Sequence, residues 1–164
     1  MKELIIQELK RGVEENLLKD KCLVPTVILC GEHENMIVDA QEGFKNDESK
    51  DKFIEYLCAQ IKQHIVYRAV IISECWGYAD GGLKQEVLAE MFEDGSYREK
   101  LDRTELYQII DIKRQSAHII AREFSRENQD TAEETISFGH ETESDTDFLL
   151  MRFKRVQNSL QQLN

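Results

Sequence analysis

The sequence predicts an α+β fold: a mostly antiparallel, five-stranded sheet with N-terminal, middle and C-terminal helices packed on it. Three observations carry this expectation. Val66–Cys75 is apolar on both faces, as a central strand covered from both sides would be. Two pairs of short β-branched runs, each pair joined by a few polar residues, read as hairpins. Three stretches repeat apolar residues at three- and four-residue steps, the signature of amphipathic helices.

Met1–Lys19 opens with such a helix, because Ile5, Leu9, Val13 and Leu17 recur every fourth residue with charges between them. Leu23–Cys30 is short, β-branched and apolar, so it reads as a strand, with Pro25 near its start or on an edge. Gly31–Asn35 is a turn and Met36–Ala40 the second strand of a hairpin. After the polar run Asn46–Lys52, Phe53, Leu57, Ile61 and Ile65 define the middle helix, which leads directly into Val66–Cys75. Residues 77–104 read as an insertion with a short helical pattern over Leu83–Phe92. Glu105–Lys113 and Ala117–Ser125 form the second hairpin. Residues 1–126 then make an α+β core domain, 127–147 an acidic flexible segment and 148–164 a C-terminal amphipathic helix. Within the acidic segment Thr135–His140 has strand character, but the composition around it favours mobility. The last helix carries a seam of Leu149, Phe153, Val156, Leu160 and Leu163, about two heptads long.

A chain of 164 residues suits one domain with a real core. The net charge is −11, and Glu127–Asp147 alone holds eight acidic residues and no Lys or Arg, which leaves −3 on the remainder. The acidity therefore says little about the folded body, though it disfavours duplex nucleic acid as a partner, since phosphate binding needs a basic face. The N-terminus mixes charges into its apolar residues, unlike a signal-peptide core. The longest uncharged apolar run, Cys22–Gly31, is about half of the roughly 20 residues that span a membrane. A soluble, cytoplasmic protein without membrane attachment is expected. Four cysteines without paired spacing read as free thiols.

The element order resembles that of the roadblock and longin-like families of small dimerising scaffold domains, in topology alone. The strand ending Ser73-Glu74-Cys75-Trp76, followed by a hairpin of long strands, resembles a loosely defined group of uncharacterised prokaryotic proteins whose strand ends in Ser-Glu-small-Trp. That likeness covers Val66–Ser125 and implies a fold rather than an activity.

Several motifs bear on chemistry. Cys75-Trp76 resembles the nucleophile region of papain-like proteases, but Cys75 follows a strand, the upstream Gln has no counterpart (Ala69 stands there), and too few residues follow for the family's His and Asn. Packing at a strand end is the plainer reading. Asp111-Ile112-Lys113 matches the acid-x-Lys of metal-dependent nucleases, in which two carboxylates hold Mg²⁺ and the Lys helps activate water. Glu105, Glu74, Asp94 and Asp102 are candidates for the second carboxylate. The plainer alternative is an outward Asp and Lys alternating with Ile110 and Ile112 on an exposed strand face. Cys30 and His33 have a metal-ligand spacing without a second pair. No P-loop or dinucleotide fingerprint occurs, so no cofactor is expected.

The sequence thus favours a non-enzymatic module that binds a protein partner or a second copy of itself. The residues that would carry this are Leu83, Val87 and Met91 of the insertion helix and Leu149, Phe153, Val156, Leu160 and Leu163 of the terminal seam. The alternative is a divalent-metal-dependent enzyme using Asp111, Lys113 and Glu105 or Glu74.

Overall fold

The computed structural model describes residues 4–78, 84–128, 133–146 and 151–162. The order is α1 (Ile6–Asp20), β1 (Thr26–Gly31), β2 (Asn35–Asp39), α2 (Asp47–His64), β3 (Val66–Tyr78), α3 (Gln85–Asp94), α4 (Tyr97–Lys100), β4 (Arg103–Lys113), β5 (Ala117–Asn128), β6 (Glu134–Thr146) and α5 (Met151–Gln161). The α+β class and the antiparallel sheet agree with expectation. The sheet, however, has six strands instead of five, in the order β2-β1-β3-β4-β5-β6, with every neighbouring pair antiparallel.

The extra strand lies in the acidic segment whose composition argued for mobility. β6 pairs with β5 from Glu134 opposite Asn128 to Thr146 opposite Ala117. Ile136 is buried and Phe138 packs on the same core. Glu141, Glu143 and Asp145 meet Lys10 and His118. Averaging over a window hides a strand in which apolar and charged residues occupy chosen positions.

Alternation along the strands sorts the sheet's side chains onto two faces, and helices cover both. On the first, Val27, Leu29, Ile71, Ile110 and Ile112 pack under Ile54, Leu57 and Ile61 of α2 and Val156 and Leu160 of α5. On the second, Ile28, Val70, Ile72, Tyr107 and Ile109 pack under Val13 and Leu17 of α1. This double cover explains why β3 is apolar on both faces. Cover is incomplete at one side: Ile37 of β2 shares the second face with its register partner Ile28, yet it is 76% exposed.

α2 begins six residues before the apolar stripe does. Asn46 caps it, its side-chain oxygen accepting the Ser49 N–H at 2.8 Å, so the polar run is a capped, exposed first turn. The helix ends at Ile65 in the left-handed region, φ 51°, with its N–H on the Ile61 carbonyl. A β-branched residue rarely adopts this conformation. Here it reverses the chain without a loop, since Val66 already opens β3. Gly31 of β1 lies against this reversal: a Cβ there would stand 3.2 Å from the His64 carbonyl oxygen and 3.0 Å from that of Glu34. The excursion of residues 77–104 is framed by the sheet, for Gly77 pairs with Thr104 and Tyr78 with Arg103. Among the described residues no helix is long and apolar enough to cross a membrane.

Candidate functional site

The acid-x-Lys residues do not form one constellation. Asp111 is buried, and Arg68 of β3 grips it with Nε on Oδ1 at 2.8 Å and Nη2 on Oδ2 at 3.2 Å. The remaining Arg68 nitrogen donates to the Leu4 carbonyl at 2.8 Å. The outward reading of Asp111 is therefore corrected: α1 and its N-terminal approach cover that stretch of the sheet. Lys113 is exposed. Glu74 and Glu105 do converge, but on Arg126, which binds Glu74 at 3.0 Å, ion-pairs with Glu105 and reaches Glu134 at 3.4 Å. Glu74 also accepts the Leu23 N–H at 2.9 Å, tying the α1–β1 link to β3. Asp94 accepts the Ser96 N–H and Asp102 is exposed. Among the described residues no three His, Cys, Asp or Glu side chains are grouped to hold a metal ion.

Neither thiol reading finds its partners. Burial, followed by the Glu74 charge, pushes the Cys75 thiol up to about 11, so it is protonated at neutral pH and a poor nucleophile. Cys30 is buried in the core beneath α1, whereas His33 is exposed in the hairpin turn.

The terminal seam faces the chain's own sheet. Val156 and Leu160 are fully buried and Phe153 packs beside them. Gln157 Nε2 donates to the Lys113 carbonyl at 3.1 Å and Gln161 Nε2 to the Arg114 carbonyl at 2.7 Å, so α5 also clamps the β4–β5 turn. In α3, Met91 is buried while Val87 is 40% exposed. Leu83, Leu149 and Leu163 lie outside the described residues.

The two edges of the sheet differ sharply. β6 is a 13-residue edge with Glu134, Glu141, Glu143 and Asp145 along it and a register break opposite Arg122–Phe124. Charge and irregularity of this kind discourage a further strand from pairing. β2 reads Asn-Met-Ile-Val-Asp, with no Lys or Pro and no register break against β1. A groove of about 580 Å³ runs beside it along α1, past Leu9, Gly12, Val13 and Thr26. Nothing lies within 4 Å of where a Cβ on Gly12 would be, which leaves a notch in the helix wall.

No family model, curated protein or solved structure matches this chain. The site must be argued from its own geometry. On that geometry β2 is the unprotected surface, and sequence reasoning missed it. Met36–Ala40 was legible as a strand, but only the strand order makes it an edge. The one signal available was a strand centre, Met36-Ile37-Val38, without a charge.

Proposed function

We propose that this protein is a non-enzymatic association module that pairs with a second copy of itself through β2. Ile37 carries the reading. It is a large aliphatic side chain, 76% exposed, at the middle of an edge strand that lacks the usual safeguards. A two-fold axis through Ile37 sets Asn35 opposite Asp39 and Met36 opposite Val38, with no like charges facing each other. This matters for a chain of net charge −11, since a further like-charge contact would add to the repulsion between copies. Exposed Val24 and Ile5, beside the groove along α1, add apolar surface next to the strand. The pairing of Asp111 with Arg68 further supports binding over metal-dependent catalysis, because that carboxylate already has its counter-ion.

Sedimentation equilibrium tests the proposal. The full chain should dimerise with a dissociation constant on the order of micromolar, as a short edge contact allows. Ile37→Lys should be monomeric at the same concentration, with the melting temperature of the wild type diluted well below its dissociation constant. A monomeric wild type at about 100 μM, or an Ile37→Lys variant that still dimerises, overturns it.

A further inference from the structure

On the first face of the sheet the aliphatic rows stop abruptly. Along β3 Ile71 is followed on that face by Ser73 and Cys75, and along β4 Ile110 gives way to Gln108. Ser73 and Gln108 stand directly opposite each other. They form the floor of a cleft of about 680 Å³, walled by the first turns of α2 and α5 and by the loop that carries Phe44. That volume lies within the range of small-molecule sites.

The polar groups of this cleft are not used up by the protein. Ser73 is 7% exposed, and its oxygen accepts from Gln108 Nε2 at a long 3.4 Å. Its own O–H and the Gln108 carboxamide oxygen have no protein partner among the described residues. A polar pair at the centre of an apolar sheet face weakens a core that aliphatic residues would have strengthened. The charges at the rim are uneven as well. Arg152 is held by Asp51 at 2.9 Å and Asp47 at 3.4 Å. Lys50 is half-buried in the same wall and makes no ion pair among the described residues. Phe44, Ile54 and Phe153 supply the apolar surface between rim and floor.

We infer that the cleft over Ser73 and Gln108 binds a small organic monoanion, a carboxylic acid with an aromatic or branched aliphatic body. The body lies against Phe44, Ile54 and Phe153, the carboxylate meets Lys50, and the floor pair supplies one donor and one acceptor to a hydroxyl at the far end of the body. A phosphate would find one cation without an ion pair, the Asp47 and Asp51 carboxylates on Arg152 beside it, and mostly apolar walls. The site lies on the first face, away from the exposed Ile37 side chain on the second, and does not depend on self-association.

The test is titration of the ¹⁵N-labelled full chain with 6-hydroxy-2-naphthoate and with its neutral counterpart 6-hydroxy-2-naphthamide, followed by amide chemical shifts. The acid should give saturable shifts at Ser73, Cys75 and Gln108 and bind about five-fold more tightly than the amide. Lys50→Gln should reduce acid binding to the level of the amide, and Lys50→Arg should restore it. Ser73→Ala should weaken both compounds. The proposal fails if no saturable shift occurs at these residues up to about 5 mM, if acid and amide bind equally, or if Lys50→Gln, melting like wild type, binds the acid unchanged. The Ile37→Lys variant should titrate like wild type, which separates this result from the fate of the dimer.

Discussion

The two faces of the sheet are both buried under helices, yet they are held by different means. Away from the Ser73–Gln108 cleft, the face under α2 and α5 is an aliphatic core, from Val27 and Leu29 across Ile71 and Ile110 to Val156 and Leu160. The face under α1 mixes Val13, Leu17 and Ile72 with charges that strand alternation turns inward. Arg68 grips Asp111, Tyr107 donates to Glu14 at 2.7 Å, Arg122 donates to the same carboxylate at 2.6 Å, and Arg126 gathers Glu74 and Glu105. Dispersion and water exclusion hold most of the first face, with ion pairs from Arg152 to Asp51 and Asp47 at its exposed rim. The second adds to its own apolar core a set of ion pairs that act only while specific groups keep their charge.

The sharpest way to break this contrast is to remove one charge from the second face. Arg68→Met strands the buried Asp111 carboxylate and should lower the unfolding free energy in urea by about 3–5 kcal/mol. Adding Asp111→Leu should recover most of that loss. Leu57→Ala on the first face should cost about 2–4 kcal/mol, with the same value at pH 5 and pH 7 and no such rescue. If Arg68→Met costs under about 1 kcal/mol, the ion-held description is wrong.

A smaller effect comes with acid. Burial works against the Glu14 carboxylate, but the Tyr107 hydroxyl and Arg122 outweigh it and hold the carboxyl below its ordinary value of 4.5. A depressed folded value means that the contribution is complete above the ordinary value and lost as pH falls through the lowered one. Glu14→Gln should therefore cost about 1–2 kcal/mol at pH 7, and the gap between the two melting curves should close progressively as pH drops below the ordinary value of 4.5. A gap that persists in acid would mean that packing, and not charge, attaches α1.

The smallest effect runs the other way. His118 reaches Asp145 and Glu143 at 2.6 Å each, and the Asp145 bond, against some desolvation and aided by Glu143, raises its pKa above 6.5. A raised value gives stability that is fully present below about 6.5 and lost as pH rises through the folded value. These partners are exposed, so the contribution is a few tenths of a kcal/mol. Hydrogen exchange at the amides of residues 143–145, corrected for intrinsic rates, should quicken above that pH. His118→Gln should remove the dependence.

Much of the architecture was legible because periodicity reports burial. The four-residue steps of α1 and α2, both hairpins and the doubly covered β3 follow from which residues are apolar. What was hidden depends on partners far away in sequence. Asp111 and Lys113 were placed correctly on one strand face, but period two does not say which part of that face a helix covers, and Arg68 lies 43 residues upstream. β6 was obscured because its charges are set opposite Lys10 and His118, partners that lie far away in sequence. Ile37 and the Ser73–Gln108 floor needed strand order and register, neither of which a single sequence encodes locally.

The placement of α5 has a consequence for how the chain comes together. α2 and α5 lie side by side on the first face, and Arg152 reaches back 101 residues to Asp51. Closing that face requires one of the longest loops the chain can make, whereas β3, β4 and β5 are near neighbours in sequence. Loop entropy rises with the logarithm of that separation, so docking of α5 on α2 is expected among the late, high-contact-order steps of assembly. Until residues 151–161 arrive, Ile110 and Ile112 lack half of their roof.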